Sequence, residues 1–378
     1  MLRQVVRTGF MLLLAVFVVV RSAEALETPA NGAFLMDAET GAILMAKNPD
    51  AQVPPASMSK IMTAFMVFER LKDGRLALDD TFHVSEKAWR KGGSKMFVEI
   101  GKEIRIKDLL RGVIIQSGND ASIVLAEGIG GTEEAFGDMM TQRAKEMGVT
   151  NSTFRNATGW PHPEHRTTPR DLATIAKYLI QEFPEFYHLY SEREFTWHDI
   201  TQYNRNPLLG RTNGVDGLKT GYTREAAYGL TASAERDGRR LILVVSGLDT
   251  AEQRASESAR LLEWGFREFD NLRLFEAGET VEEAPVWLGD LGRVPLVARE
   301  DLVFTVPRSF EREMKVTLTY DSPIPAPIRK GDALATLRVE GTEIETIEVP
   351  LEAGEDVEQL GAIGRIVSGM QYLVFGAP

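Results

Sequence analysis

There is no cysteine anywhere in the 378 residues. That excludes disulfides, thiol nucleophiles and cysteine-ligated metal sites. Only five His are present, too few to furnish a His-rich metal centre, so no metal is expected. Positive charge is also short: 43 Lys and Arg stand against 55 Asp and Glu, a formal net of −12. Nucleic-acid binders concentrate positive field on one surface, so nucleic acid is not an expected partner. Long apolar runs are missing as well. Phe10 to Val20 is unbroken but stops far short of the roughly 20 residues of a membrane span. What remains is 43% hydrophobic and 26% charged residues, a mixture that belongs to globular proteins.

The apolar run has a different use. Arg3 and Arg7 precede it, and Ala23-Glu24-Ala25 supplies a small-x-small cleavage signal. Residues 1–25 are therefore expected to be an export signal, with the mature chain starting at Leu26. The remaining length predicts two domains and a tail. From 26 to about 272 helical and strand-like patterns mix, which predicts an α+β domain. Within it, residues 33–47 read as a hairpin around Glu39-Thr40-Gly41. A helix with Met58, Ile61, Met62, Phe65, Met66 and Phe68 on one stripe follows Pro54-Pro55. Helices are expected over 107–129 and 133–147. Another opens at Thr168-Pro169-Arg170-Asp171, an N-cap with Pro at the first helical position, and runs to about Glu182. Strand-like runs at Leu230 to Ala234 and Arg240 to Ser246 flank a turn at Asp237-Gly238, and a helix is expected from about Ala251 to Phe269. Residues 273–357 change to short strand-like runs, read as a small all-β module. Residues 358–378 return to helical spacing, with Leu360, Ile363, Val367, Met370 and Val374 three or four apart.

Chemistry is carried by three short motifs in order: Ser57-Met58-Ser59-Lys60, Ser117-Gly118-Asn119 and Lys219-Thr220-Gly221. They fit the S-x-x-K, S-x-N and K-T-G elements of penicillin-recognising serine enzymes, and each occurs once. Ser57 needs a base within about 3 Å to become a nucleophile. Lys60 lies one helical turn on, and burial together with the positive helix N-terminus would lower its pKa into a useful range. Ser117 is placed to relay a proton to the leaving amine, and Asn119 to hold a substrate amide. Asp120 reads as a structural cap. The ammonium of Lys219 and the hydroxyl of Thr220 suit a substrate carboxylate, and Gly221 would let the substrate backbone lie close. Arg254 is a second candidate clamp for that carboxylate. His162-Pro163-Glu164-His165 has metal-like spacing, but Pro161 and Pro163 argue against the helix such a site would use.

With those motifs in their local settings, the mature chain resembles the low-molecular-weight D-alanyl-D-alanine carboxypeptidases, penicillin-binding proteins that trim peptidoglycan. The settings are Pro55-Ala-Ser57-Met-Ser-Lys60-Ile-Met-Thr63, Gln116-Ser-Gly-Asn-Asp-Ala121, Asn204-Arg-Asn206, Val215-Asp-Gly-Leu-Lys219-Thr-Gly221 and the loop Lys91-Gly-Gly-Ser-Lys-Met-Phe97. The resemblance implies a transpeptidase-like fold followed by a β-rich stalk. It implies Ser57 as nucleophile and Lys60 as base, with Ser117, Asn119 and Lys219 in support and Arg254 near the substrate carboxylate. It places an oxyanion hole at the backbone N–H groups of Ser57 and Tyr222; close relatives often carry His where Tyr222 stands. The partners implied are peptidoglycan pentapeptide stems, β-lactams, and the inner-membrane surface through an amphipathic terminal helix, in a periplasmic enzyme that uses no cofactor. The alternative for that helix is packing on the protein's own β module. Two rival functions are a class A β-lactamase and a non-catalytic cell-wall binding protein. The first would carry Glu-x-x-Asn between residues 119 and 219, and none occurs; intact Ser57, Lys60 and Lys219 argue against the second.

Overall fold

The computed structural model describes residues 26–309, 314–341 and 344–367. The expected export signal lies outside these residues, as does the end of the expected terminal helix.

The first half of the chain and residues 215–248 meet in one antiparallel sheet. Its strands run in the order Ile43–Lys47, Gly32–Asp37, Arg239–Leu248, Ala227–Arg236, Val215–Thr223. All six residues of Gly32–Asp37, the first strand of the expected hairpin, are buried. The reason is that both faces of the sheet are covered, which removes the polar alternation of a half-exposed strand. Phe34, Met36, Ile242 and Val244 point into one core, with Phe65 and Ile175 from the helices Lys60–Lys72 and Pro169–Glu182. Ala33, Leu35, Leu241, Leu243 and Val245 point the other way, onto Leu261, Leu262 and Phe266 of the helix Ala251–Glu268.

The helix expected after Pro54-Pro55 starts later and is buried more widely than a single stripe. Ala56–Ser59 is a 3₁₀ turn, and the α-helix is Lys60–Lys72. Every residue from Lys60 to Phe68 is buried, because this helix lies between the sheet and a layer of other helices. The expected helix over 107–129 is two helices, Ile106–Ile114 and Asn119–Gly130. The chain breaks where Ser117 takes φ of +65° and Gly118 N–H donates to Gly112 O at 2.7 Å. The cap at Thr168 forms as expected: its hydroxyl accepts from Asp171 N–H at 3.0 Å and opens Pro169–Glu182. Two hairpins of three- and four-residue strands, Thr81–His83 with Glu103–Arg105 and Glu194–Trp197 with Ile200–Tyr203, were not anticipated; such runs are too short to show a period.

The C-terminal module is all β. Six strands run in the order Lys315–Tyr320, Ala333–Gly341, Ile344–Ala353, Arg293–Ala298, Thr280–Trp287, Ile324–Pro325. They enclose Val286, Val294, Leu296, Leu337, Leu351 and Val357. An unanticipated strand, Phe269–Phe275, follows directly on the long helix and pairs with Leu302–Pro307. This pair is fastened to the sheet at two places: Asn271 Nδ2 donates to Glu39 Oε2 of the first turn at 3.0 Å, and Arg239 Nη1, at the start of Arg239–Leu248, donates to Phe269 O at 2.6 Å. Past the module, residues 362–367 are helical, with Ile363 81%, Ile366 63% and Val367 50% exposed.

Candidate active site

The Ser57 turn is wedged against two other segments. Ala56, at φ +50°, is buried, and its carbonyl oxygen would lie 1.7 Å from any Cβ at Gly159. Gly159 itself has φ of +76°, so glycine is required there twice over. On the other side a Cβ at Gly221 would meet Pro55 O at 3.0 Å and Met58 Cγ at 3.1 Å. A bare Cα at Gly221 thus serves packing as well as leaving room beside a substrate backbone. Gly221 lines the cleft, but its bare Cα first of all lets the Lys219-Thr220-Gly221 strand close on the Ser57 turn.

Lys60 is 1% exposed and touches three groups. Its Nζ lies 3.1 Å from Ser57 Oγ, 2.8 Å from Asn119 Oδ1 and 2.6 Å from Thr158 O. Among the described residues no carboxylate forms an ion pair with it, and the more distant charges of Asp120 and Glu133 only partly offset what lowers its pKa. Burial, and after it the charge of Arg205, pulls its pKa down to about 7. Asn119 therefore has a structural employment in addition to its place on the cleft wall. Its oxygen anchors Lys60 and its Nδ2 donates to Gly92 O at 2.9 Å, although the residue also lines the cleft.

Ser117 sits at the break between two helices with its hydroxyl buried and without a hydrogen-bond partner. Asp120 is structural, as read from the sequence. Its carboxylate accepts from the N–H groups of Met96 and Phe97, both at 2.8 Å, and so ties the 91–97 loop to the Ser117 turn. Gly93 and Ser94 of that loop form one wall.

The opposite wall is the edge strand Val215–Thr223 and its neighbour. Thr220, Gly221, Tyr222 and Tyr228 face the cleft, together with Arg205 and Arg254. Lys219 does not line it: the residue is 2% exposed and its Nζ donates only to Thr220 O, at 3.3 Å. Burial, then the charges of Lys60, Arg205 and Arg254, drives its pKa well below the usual lysine range. Tyr222 is half-exposed, and its ring packs on Tyr228 with centroids 4.3 Å apart. The Arg254 guanidinium lies 5.6 Å from the Tyr228 centroid, with its Nε unpaired.

The cleft encloses about 820 Å³ and brings Ser57, Ser117, Asn119, Thr220, Gly221, Tyr222 and Arg254 to its surface, with Lys60 and Lys219 just beneath. Sequence reasoning gave no role to Arg205, Thr158, Trp160 or Tyr228. Arg205 stood in a motif that was noted for its setting alone. Thr158 acts through a main-chain carbonyl, for which a side chain leaves no sign. The His cluster resolves into a scaffold: His165 is buried and its Nε2 bonds Ser59 Oγ at 2.7 Å, whereas His162 lies outside. Among the described residues no group of three potential ligands could hold a metal.

A serine hydroxyl beside a buried lysine of lowered pKa, in a cleft lined by Arg205 and Arg254, is an arrangement suited to acyl transfer from a peptide with a free carboxylate. Comparison with known proteins agrees. Residues 19–250 match the D-alanyl-D-alanine carboxypeptidase family, and 269–359 match the C-terminal domain of penicillin-binding protein 5. The chain is 39% identical over 360 residues to the D-alanyl-D-alanine carboxypeptidase DacC of Escherichia coli, covering 93% of this chain and 90% of that one. The crystal structure of penicillin-binding protein 5 from Haemophilus influenzae, 37% identical, superposes with a TM-score of 0.81 over 88% of this chain and 98% of its own. Penicillin-binding protein D2 from Listeria monocytogenes, solved in an ampicillin-bound form, is 32% identical with a TM-score of 0.59, covering 64% of this chain and 98% of that one. The chain belongs to the S11 peptidase family, and it is a D-alanyl-D-alanine carboxypeptidase with the C-terminal domain of penicillin-binding protein 5.

Proposed function

We propose that Ser57 is the nucleophile of this carboxypeptidase and Lys60 its base, acting on exported, periplasmic substrate: peptidoglycan pentapeptide stems ending in D-Ala-D-Ala. The observation that carries the reading is the 3.1 Å contact between Lys60 Nζ and Ser57 Oγ, made by a lysine whose pKa is about 7. A neutral amine has two hydrogens and one lone pair. Asn119 Oδ1 and Thr158 O, the two nearer partners, take the hydrogens, and the lone pair is left for the Ser57 hydroxyl. The serine proton moves to Lys60 as Oγ attacks the carbonyl carbon of the penultimate residue. Backbone N–H groups of Ser57 and Tyr222 receive the oxyanion. The C–N bond then breaks, and the departing D-Ala amine takes a proton by way of Ser117 Oγ. Water attacks the resulting ester, Lys60 accepts the water's proton, and Ser57 regains its own as the shortened stem leaves.

The substrate carboxylate is held by Thr220 and Arg254 at the surface, with Lys219 shaping the field from beneath. A β-lactam enters the same path: Ser57 opens its ring, and the acyl-enzyme blocks turnover. Around this site we read residues 1–25 as the export signal, 26–272 as the catalytic domain and 273–357 as a stalk. The tail from 358 on, which leaves the module after Gly361, would then lie on the outer face of the inner membrane. Exposed Ile363, Ile366 and Val367 favour the membrane over docking on the module. No helix among the described residues is long and apolar enough to cross a membrane.

Ser57→Ala should abolish both labelling by a fluorescent penicillin and D-Ala release. Ser59→Ala should keep both, though it orphans the His165 N–H and costs about 1–3 kcal/mol of stability. The reverse pattern would remove Ser57 from the reaction.

A further inference from the structure

Arg205 lines the cleft from a segment that crosses between its walls, residues 192–208. At the start of the crossing Glu192 is gripped by Arg111 of the helix Ile106–Ile114, at 2.8 and 2.9 Å. Gln202 Nε2 donates to Lys95 O of the 91–97 loop at 3.1 Å. Arg205 N–H donates to Ile115 O at 3.3 Å, two residues before Ser117. The crossing then reaches the strand of Lys219-Thr220-Gly221, where Asn206 Nδ2 donates to Gly217 O at 2.8 Å. Two asparagines stiffen it. Asn204 Nδ2 donates to Tyr190 O at 3.2 Å and to Glu192 O at 2.9 Å, and its Oδ1 accepts from Asn206 N–H at 3.0 Å. Asn206 is buried, and its Oδ1 accepts from Leu208 N–H at 3.1 Å while its nitrogen holds Gly217. An amide carries donor and acceptor on one planar group, so a carboxylate could not serve both ends.

We infer that Asn206 is a positioning residue of the reaction, setting the distance between the Arg205 guanidinium and the strand that carries Lys219. The inference rests on Lys60 being the base of Ser57. Its ground is the place of one buried bond, adjacent in the chain to Arg205 at one end and two residues from Lys219 at the other. Arg205 forms no ion pair among the described residues, and burial is what lowers its pKa. Its charge is the largest of those that depress Lys60, and it acts on Lys219 as well. Coulomb repulsion falls with distance, so a guanidinium free to swing outwards would press less on both lysines. Loss of the Asn206 amide would free the crossing from the strand and leave Gly217 O, buried, without that donor. The same side chain therefore bears on two things at once: where the Lys219-Thr220-Gly221 wall stands, and how easily Lys60 gives up its proton.

The test follows the pH dependence of acylation by a fluorescent penicillin in the full chain and in five variants. Asn206→Ala should lower the plateau rate about tenfold, the effect of a buried carbonyl left unpaired. Its rising limb should also move to higher pH, on the order of half a unit, towards the limb of Arg205→Gln. Asn206→Gln keeps both polar groups, and with them the fold, but one methylene out of place; its limb should move the same way. With the Arg205 charge already removed, losing Asn206 should move the limb no further, so R205Q/N206A should match Arg205→Gln. Tyr187→Phe is the control. It cuts a 2.8 Å bond to Asp216 on the same strand, and should lower the urea midpoint while the limb stays in place. A limb unmoved in both Asn206 variants, shifts that add in the double variant, or an equal shift in Tyr187→Phe would overturn the inference and leave Lys60 as the base. A parent protein with no limb near pH 7 would overturn the Lys60 assignment and this inference with it.

Discussion

Lys60 draws its contacts from stretches far apart in the chain, Asn119 and Thr158 lying 59 and 98 residues away. The Ser-x-x-Lys spacing alone shows that serine and lysine meet. It does not show that the lysine is kept neutral, which depends on burial and on Arg205. With a pKa of about 7, Lys60 is a protonated non-base below that value and a base above it. The acylation rate should therefore climb through a limb centred near pH 7. Arg205→Gln removes the largest of the charges that depress Lys60 and should move the limb to higher pH. Penicillin acylation rates measured from pH 5 to 9 in both proteins check this, and an unmoved limb would separate Arg205 from the lysine. His165 gives a second residue-scale expectation. Its Nδ1 accepts from Arg155 N–H at 3.3 Å, so Nε2 carries the hydrogen given to Ser59, and burial pulls the pKa to about 3. The unfolded chain then binds a proton that the folded one refuses. Stability contributed by the neutral ring is complete above about pH 6.5 and is lost towards pH 3, at up to about 1.4 kcal/mol per unit. Urea midpoints of His165→Asn should show a flatter acid slope than the parent; parallel slopes would rule the ring out.

Elements were legible where a local rule decides them and obscure where contact does. The Thr168-Pro169 helix start was readable because cap and proline act within one turn. The turn at Ser117 was half readable: the apolar stretch Leu109 to Ile115 running into Ser117-Gly118-Asn119 signals a helix end facing the cleft, but nothing in it forecasts the left-handed residue or the second helix that starts at Asn119. The motif there marked the right residues but gave no hint that Asn119 would be tied to Lys60. Gly159 is the converse: an unremarked glycine on which the placing of the Ser57 turn depends. Gly159→Ala cannot fit a Cβ at 1.7 Å from Ala56 O, so the turn must move. Penicillin labelling should fall by orders of magnitude while circular dichroism still reports a folded protein; labelling at the parent rate would mean the turn is loosely seated. On the opposite wall, Tyr228 is a platform between Tyr222 and Arg254. Tyr228→Leu should raise KM for peptides with a free carboxylate by about 3- to 30-fold, the range of a cation–π contact, and Tyr228→Phe should restore it. If the two variants behave alike, the ring is not what orients Arg254.

At the scale of the whole molecule, the change of texture near residue 272 announced a β module but hid how it is fastened. Main chain beyond Asp356 still belongs to that module. Val357 is fully buried and bridges Ile328, and Leu360 N–H donates to Leu288 O at 2.9 Å. A truncation meant to remove the tail must therefore follow Gly361. So cut, the mature protein should leave the membrane fraction with its carboxypeptidase activity intact; retention with membranes would send the attachment elsewhere. The sheet has a further consequence. Val215–Thr223 is its last strand, with no ladder partner on the outer side among the described residues, and an open strand edge will template almost any extended backbone. Here that edge opens into a trench walled by Gly93 and Ser94 on one side and Tyr222, Tyr228 and Arg254 on the other. A single dangling peptide end can be threaded into such a trench, but a folded sheet cannot be lowered in. The walls that make the cleft thus also act as a sieve, admitting loose tails of polymer and turning away the strand edges of neighbouring proteins.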